Sequence, residues 1–292
     1  MDQKMKKVVS VSGGKSSAYI LANYPSDYAV FSLVRTDDKD CLYPDKKIRQ
    51  IVSDKIGKEF IGTLEDDTII QTILELEQFT GKKIDWVTGE TFDEVIYKRG
   101  KGQNVYLPQA NMRFCTTEMK IKPIAQYCFK KGLPVIMSIG FRANEQRRAN
   151  SSLKKLNKDG LQHYKFHIGY SKNGRKKWKT LPFRKFDFPL IKDGVFKDNI
   201  NSYWKNKPVK FAWVNNCVGC MNASALYIRH QYVKNKNKIE WFIKQENKSI
   251  KMGMNRTWRI DTLKYEKIVN SFKQMELFDD DFSDCDSGYC GL

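Results

Sequence analysis

The stretch Val8-Val9-Ser10-Val11-Ser12-Gly13-Gly14-Lys15-Ser16-Ser17-Ala18-Tyr19-Ile20-Leu21-Ala22 decides the fold class. An apolar run leads into a double glycine, and apolar residues at helical spacing follow, so the order reads as strand, turn, helix. Such a turn offers backbone N–H groups at a helix start to an anion. The two glycines let the chain come close and adopt unusual dihedrals. Ser12, Ser16 and Ser17 add hydroxyl donors and Lys15 adds a positive charge, so a phosphate-binding loop is the expectation for Ser12, Gly13, Gly14, Lys15, Ser16 and Ser17. The spacing is not the longer Gly-to-Gly-Lys pattern of a Walker A loop.

Outward from this unit the pattern repeats. Strands are expected at 8–11, 29–34, 84–87 and 135–139. Helices are expected at 15–23, 45–56, 68–80, 92–99 and 117–131. This alternation predicts an α/β fold with a doubly wound, mostly parallel sheet covered on both faces. Ligands of such sheets sit beyond the carboxyl ends of the strands. Gly140, at the end of a strand, should therefore face the same crevice as the glycine loop, whereas Thr36, Asp37 and Asp38 read as a surface loop near it. After Asn150 the pattern changes. Lys172-Asn173-Gly174 between residues 164–171 and 175–181 marks a hairpin, and helices are expected at 195–204, 224–235, 239–245 and 262–274. Three regions result: a nucleotide-binding core over 1–150, a smaller basic hairpin-plus-helical part over 151–275, and an acidic, cysteine-containing tail over 276–292.

The chain of 292 residues is 41% hydrophobic and 13% aromatic, the composition of a globular protein. No apolar run is long enough to cross a bilayer, and the N-terminal residues lack the features of a secretory signal, so a cytoplasmic protein without a membrane partner is expected. Lys and Arg number 52 against 33 Asp and Glu, a formal net charge of +19. That excess predicts a polyanionic partner, most simply DNA or RNA. It clusters at Lys154-Lys155, Arg175–Lys179, Lys205–Lys210 and Lys234–Lys238, with Tyr164, Phe166, Tyr170, Trp178, Trp204 and Trp213 interleaved. The mixture suits base stacking with phosphate neutralisation. It equally suits a half-buried sheet with a solvated outer face.

There are seven cysteines and no export signal, which favours metal or redox chemistry over disulfides. Cys217-Val218-Gly219-Cys220 can grip one metal centre from a tight turn. Cys115 is expected at a helix start, where a thiolate is stabilised. With a fourth ligand from Cys285 or Cys290, these thiolates suit a [4Fe–4S] cluster, with zinc the runner-up. Cys41 and Cys128 read as ordinary buried thiols.

The SGGKSS turn resembles the PP-loop of the ATP pyrophosphatase superfamily. Three more segments resemble its phosphoadenosine phosphosulfate (PAPS) reductase-like family: Arg113-Phe114-Cys115-Thr116-Thr117-Glu118-Met119-Lys120-Ile121-Lys122-Pro123, Gly140-Phe141-Arg142-Ala143-Asn144-Glu145-Gln146-Arg147-Arg148, and Phe188-Pro189-Leu190. They follow the family's order from Val8 to Leu190. Ser16 stands where many PP-loops carry Asp, Gln146 replaces a usual Ser, and the trailing Arg comes one residue early. The resemblance implies a PP-loop (HUP-like) fold, an adenine nucleotide as ligand, and a [4Fe–4S] cluster on Cys115, Cys217 and Cys220.

Three functions follow as expectations. In the first, ATP with Mg²⁺ binds on the loop. Lys15 and Lys120 hold phosphates, and Arg142 and Arg148 steady the transition state. The adenylated substrate, DNA or RNA, then accepts sulfur or nitrogen from a donor protein. In the second, Cys290 attacks the sulfur of a sulfonucleotide, as in a PAPS or adenylyl-sulfate reductase served by a thioredoxin-like protein. In the third, the fold is a nucleotide- or DNA-binding regulator without catalysis.

Overall fold

The computed structural model describes residues 5–100 and 104–271. The acidic tail, with Cys285 and Cys290, lies outside the described residues. Six strands form one sheet: β1 (Lys7–Val11), β2 (Tyr28–Leu33), β3 (Ile84–Thr88), β4 (Val135–Ser138), β5 (Gln162–Tyr170) and β6 (Lys176–Asp187). Their order is β3-β2-β1-β4-β6-β5, parallel throughout except that β5 runs antiparallel to β6. The helices are α1 (Lys15–Asn23), α2 (Lys46–Ile56), α3 (Thr68–Thr80), α4 (Phe92–Arg99), α5 (Phe114–Thr116), α6 (Lys122–Lys131), α7 (Gln146–Leu153), α8 (Pro189–Lys192), α9 (Lys197–Trp204), α10 (Ala225–Lys234), α11 (Lys236–Lys251) and α12 (Tyr265–Asn270). This is an α/β, mostly parallel, doubly wound arrangement. None of the described helices is long and apolar enough to cross a membrane.

Alternation along β1 explains its central place. Val9 and Val11 face a core shared with Ala18, Ile20 and Leu21 of α1, Ile69 and Ile73 of α3, and Trp204 of α9. Val8 faces the opposite core, with Val30, Met137, and Ala125 and Cys128 of α6. A strand buried on both faces must read as a continuous apolar run, as this one does. The sheet grows from β1 in both directions, so its switch point lies between β1 and β4, and a crevice opens beyond the carboxyl ends of the strands there.

A third core covers those strand ends. Phe92, Val95 and Ile96 of α4, Phe114 and Met119 pack against Val218, Tyr227, Trp241, Phe242, Trp258 and Tyr265. Phe92 is its hub, with ring centroids 5.3 Å from Trp241 and 5.9 Å from both Phe242 and Trp258, all edge-on, the orientation aromatic quadrupoles prefer. Helices from the last third of the chain thus roof the crevice.

Expected and observed elements agree in the first half to within a residue or two. The helix expected at 117–131 starts earlier, at Phe114, and contains a π turn over Thr117–Ile121 between α5 and α6. Residue 150, the expected boundary, falls inside α7, and the hairpin beyond it is the edge of the same sheet. Lysines flanking the apolar residues of α11 hid its true length, Lys236–Lys251.

Asp187 ends β6 between two lysines. Its Oδ2 lies 3.1 Å from Lys7 Nζ and its Oδ1 2.6 Å from Lys192 Nζ, and it accepts from Ser138 Oγ at 3.1 Å. Burial opposes ionisation here, yet the hydrogen bonds and charges of Lys192 and Lys7 win and hold the carboxyl below its usual range. A depressed carboxyl stabilises the fold above its unfolded pKa of about 3.9 and loses that contribution as pH falls through the folded value. Asp187→Asn should therefore destabilise the protein by about 1–2 kcal/mol at neutral pH, and the gap to wild type should close in acid. Denaturant titrations at pH 7 and pH 3 check this.

Candidate functional site

The loop after β1 is built as its sequence suggests, with one addition. Gly13 has φ +82°, a conformation that side chains resist. Ser17 Oγ donates to Gly14 O at 3.1 Å and accepts from Ser12 N at 3.1 Å, closing the turn on itself. Gly14 caps α1 without a side-chain acceptor of its own. Asn215, from far along the chain, supplies one: its carboxamide donates to Gly13 O (3.2 Å) and accepts from Gly14 N (3.0 Å) in the orientation that satisfies both groups. Gly140 backs onto this loop. A β-carbon there would lie 3.1 Å from Ser17 N and 3.2 Å from the carbonyl carbon and β-carbon of Ser16. The missing side chain lets the segment after β4 touch the start of α1, so the two glycine loops pack against each other.

Beside the loop lies a narrow, mostly apolar cavity with an open mouth. Ser10 and Ser12 from β1 and its loop, Ser32 of β2, the Arg113–Ile121 segment and the Asn216–Asn222 segment line it. Two groups of side chains meet there. Arg113, Lys120 and Arg184 are cationic; Cys115, Cys217 and Cys220 are thiols. Arg184 is almost wholly buried; its Nε donates to Gln162 Oε1 at 2.8 Å. Nearby, burial and the charges of Arg184 and Arg113 push the Lys155 ammonium down. Cations that feel one another in this way favour an anionic occupant.

One buried carboxylate ties the walls together. Glu65, 2% exposed, pairs with Lys120 Nζ at 2.8 Å. Its carbonyl accepts from the buried Lys238 Nζ at 2.7 Å, and Lys238 also pairs with Asp67 at 2.7 Å. Its main chain bridges Cys217, and Val218 N donates to Leu64 O at 2.9 Å. The CxxC is a tight turn, Cys220 N donating to Cys217 O at 3.0 Å, anchored by the fully buried Val218 and by Tyr265 Oη donating to Gly219 O. On the opposite wall the π turn presents Met119 O to Ser32 Oγ at 2.8 Å. A π turn inside a helix commonly marks a site whose side chains have been re-aimed.

The other expected residues fall elsewhere. Lys15 turns from the cavity: Nζ lies 2.9 Å from Asn201 Oδ1, in a separate cleft with Ser202, Trp204 and Lys205. Gly13, Gly14, Ser16 and Ser17 are buried beside the cavity, and of the loop Ser12 lines it. Arg142 and Arg148 both grip Glu145, whose carboxylate accepts from Arg142 N (2.8 Å), Arg142 Nε (3.1 Å) and Arg148 Nη1 (2.5 Å). Burial opposes this, but those bonds and charges hold Glu145 below its usual range. The two arginines stand beside the phosphate loop through Gly140 and brace that segment. Cys115 also departs from expectation. It starts a short helix, but burial pushes its thiol up, against the bonds from Thr116 and the charges of Lys120 and Arg113. Asn215, Arg184 and Glu65 carried no sequence signal, and Lys155 was expected only as part of a basic cluster.

Do the thiols fit a metal? Among the described residues, no three His, Cys, Asp or Glu side chains sit close enough to hold one metal ion. Zinc needs four ligands at about 2.0–2.3 Å from a single point. An iron–sulfur cube places each thiolate on a different iron, so its ligands stand apart around a shared void. Cys115, Cys217 and Cys220 line one cavity, the placement that a cluster rather than a single ion would need. Comparison with protein-family models, with curated proteins and with solved structures finds no match.

Glu65→Ala should cost roughly 3 kcal/mol, because it removes a buried carboxylate's ion pair with Lys120; an unfolding transition within about 0.5 kcal/mol of wild type would be inconsistent with the network. Gly140→Val should leave the sheet folded but force the loop from α1, and isothermal titration should then detect no nucleotide binding.

Proposed function

We propose that this chain is a PAPS reductase-like PP-loop enzyme that adenylates a substrate with ATP. The observation that carries this reading is the convergence, in one cavity beside the glycine loop, of Ser12, the cations Arg113, Lys120 and Arg184, and the thiols Cys115, Cys217 and Cys220. The apolar part of that cavity, with Phe31, Val34 and Met119, suits an adenine ring. The phosphates would run toward Ser12 and the main-chain N–H groups at the start of α1.

An oxygen of the substrate attacks the α-phosphorus, the α–β phosphoanhydride bond breaks, and the electron pair leaves with pyrophosphate. Negative charge grows on the leaving group, where Arg113 and Arg184 oppose it, Mg²⁺ sharing the task. Lys120, held by Glu65, stays fixed in direction. The adenylate is a good leaving group, so a sulfur or nitrogen nucleophile can displace it. The net charge of +19 points to DNA or RNA as the adenylated molecule. Cys115, Cys217 and Cys220 would hold a [4Fe–4S] cluster, which when bound supplies one-electron or sulfur chemistry beside the activated atom.

The direct test is release of pyrophosphate from ATP by protein purified without oxygen. Arg113→Ala should lower the rate by about 100-fold with the unfolding midpoint unchanged. Release of sulfite from a sulfonucleotide, with no pyrophosphate from ATP, would instead establish the reductase. Cys217→Ser with Cys220→Ser should abolish bound iron and visible absorbance; wild type that contains neither iron nor sulfide would remove the cluster from the account.

A further inference from the structure

The β5–β6 hairpin carries more than a sheet edge requires. Between Asp159 and Asp187 the chain has eight Lys or Arg and no Asp or Glu. Only Arg184–Asp187 of β6 pairs with β4, so the hairpin runs past the start of β4, and residues 172–180 are all exposed. Lysines alone would be an ordinary guard against edge-to-edge pairing. The aromatic residues are not explained that way. A bulge between His167 and Gly169 brings Tyr170, paired with Lys176, onto the face that holds His167 and Trp178. The His167 ring is 4.8 Å from Tyr170 and 5.5 Å from Trp178, and Lys165 Nζ is 5.9 Å from the Trp178 ring. Tyr170 and Trp178 remain 61% and 47% exposed. The opposite face behaves normally: Phe166 is buried and stacks on Phe129 of α6.

We propose that this aromatic face binds single-stranded nucleic acid, Trp178 and Tyr170 stacking on bases while Lys165 and Lys176, on the same face, meet phosphates. Flat rings on a cationic ribbon are the chemistry that unpaired bases recognise, whereas bases inside a duplex are already stacked on one another. Trp178 lies nine residues before the strand end at Asp187, about 30 Å at the usual strand rise. The hairpin is therefore a docking element that holds the substrate strand at a distance from the nucleotide cavity. The inference rests on the nucleic-acid part of the function proposed above and assigns it a place.

The test uses the full chain with fluorescein-labelled 20-nucleotide oligothymidylate, oligouridylate and a 20-base-pair duplex, each titrated over a range of salt. Trp178→Ala with Tyr170→Ala should weaken single-strand binding by about 10- to 100-fold and leave duplex binding unchanged. Lys165→Ala with Lys176→Ala should lower the slope of log affinity against log salt by about 1.4. The two single-strand probes decide between DNA and RNA. Equal binding of duplex and single strand, insensitive to the aromatic substitutions, would overturn the proposal, as would binding to none of the three. ATP binding, measured separately, separates the failures: if it persists while oligonucleotides fail to bind, the docking surface falls and the nucleotide site stands.

Discussion

Glu65 is the constraint on which the crevice depends. A carboxylate 2% exposed is costly unless every oxygen and neighbouring dipole is answered. Lys120, from the π turn, answers the carboxylate, while Lys238 of α11 and the main chain of Cys217 answer the peptide groups of Glu65. Each partner is also part of the cavity or braces it. The same residue therefore pays for its own burial by fixing the distance between the cationic wall and the CxxC wall. A loop-borne cluster of thiols without such a node would be free to drift.

The aromatic core above the strand ends completes this division of labour. Phe92, Trp241, Phe242 and Trp258 supply apolar burial on the side where a parallel sheet has no helices of its own to cover it. The roof excludes water from a cavity whose cations are only useful in a low dielectric. Electrostatics and packing thus act on the same few ångströms, the first choosing what binds and the second deciding how strongly charge is felt.

Much of the fold was legible because local signals agreed with the global answer. Val8–Val11 is apolar on both faces, Ser12–Ser17 has turn chemistry, and Thr68–Thr80 and Phe92–Arg99 carry helical periodicity with matching ends. The π turn near Thr117 was not legible, because it leaves residue spacing almost unchanged while re-aiming the side chains. The site was only half legible. The glycine loop and the thiols could be read as motifs, but Lys15 was assigned by adjacency to the loop and is drawn instead to Asn201. Arg184 and Glu65 lie on segments whose sequence says only strand and loop; their roles arise from contacts with distant parts of the chain, which no local pattern encodes.

The central claim is that an adenine nucleotide occupies the cavity between the glycine loop and the CxxC turn. A crystal structure of the anaerobically purified protein with a non-hydrolysable ATP analogue tests it most directly. The account places the phosphates against Ser12 and the start of α1, with Arg113, Lys120 and Arg184 around them. A nucleotide seated in the cleft of Lys15 and Asn201, or a cavity closed by the Asn216–Asn222 segment, would contradict it.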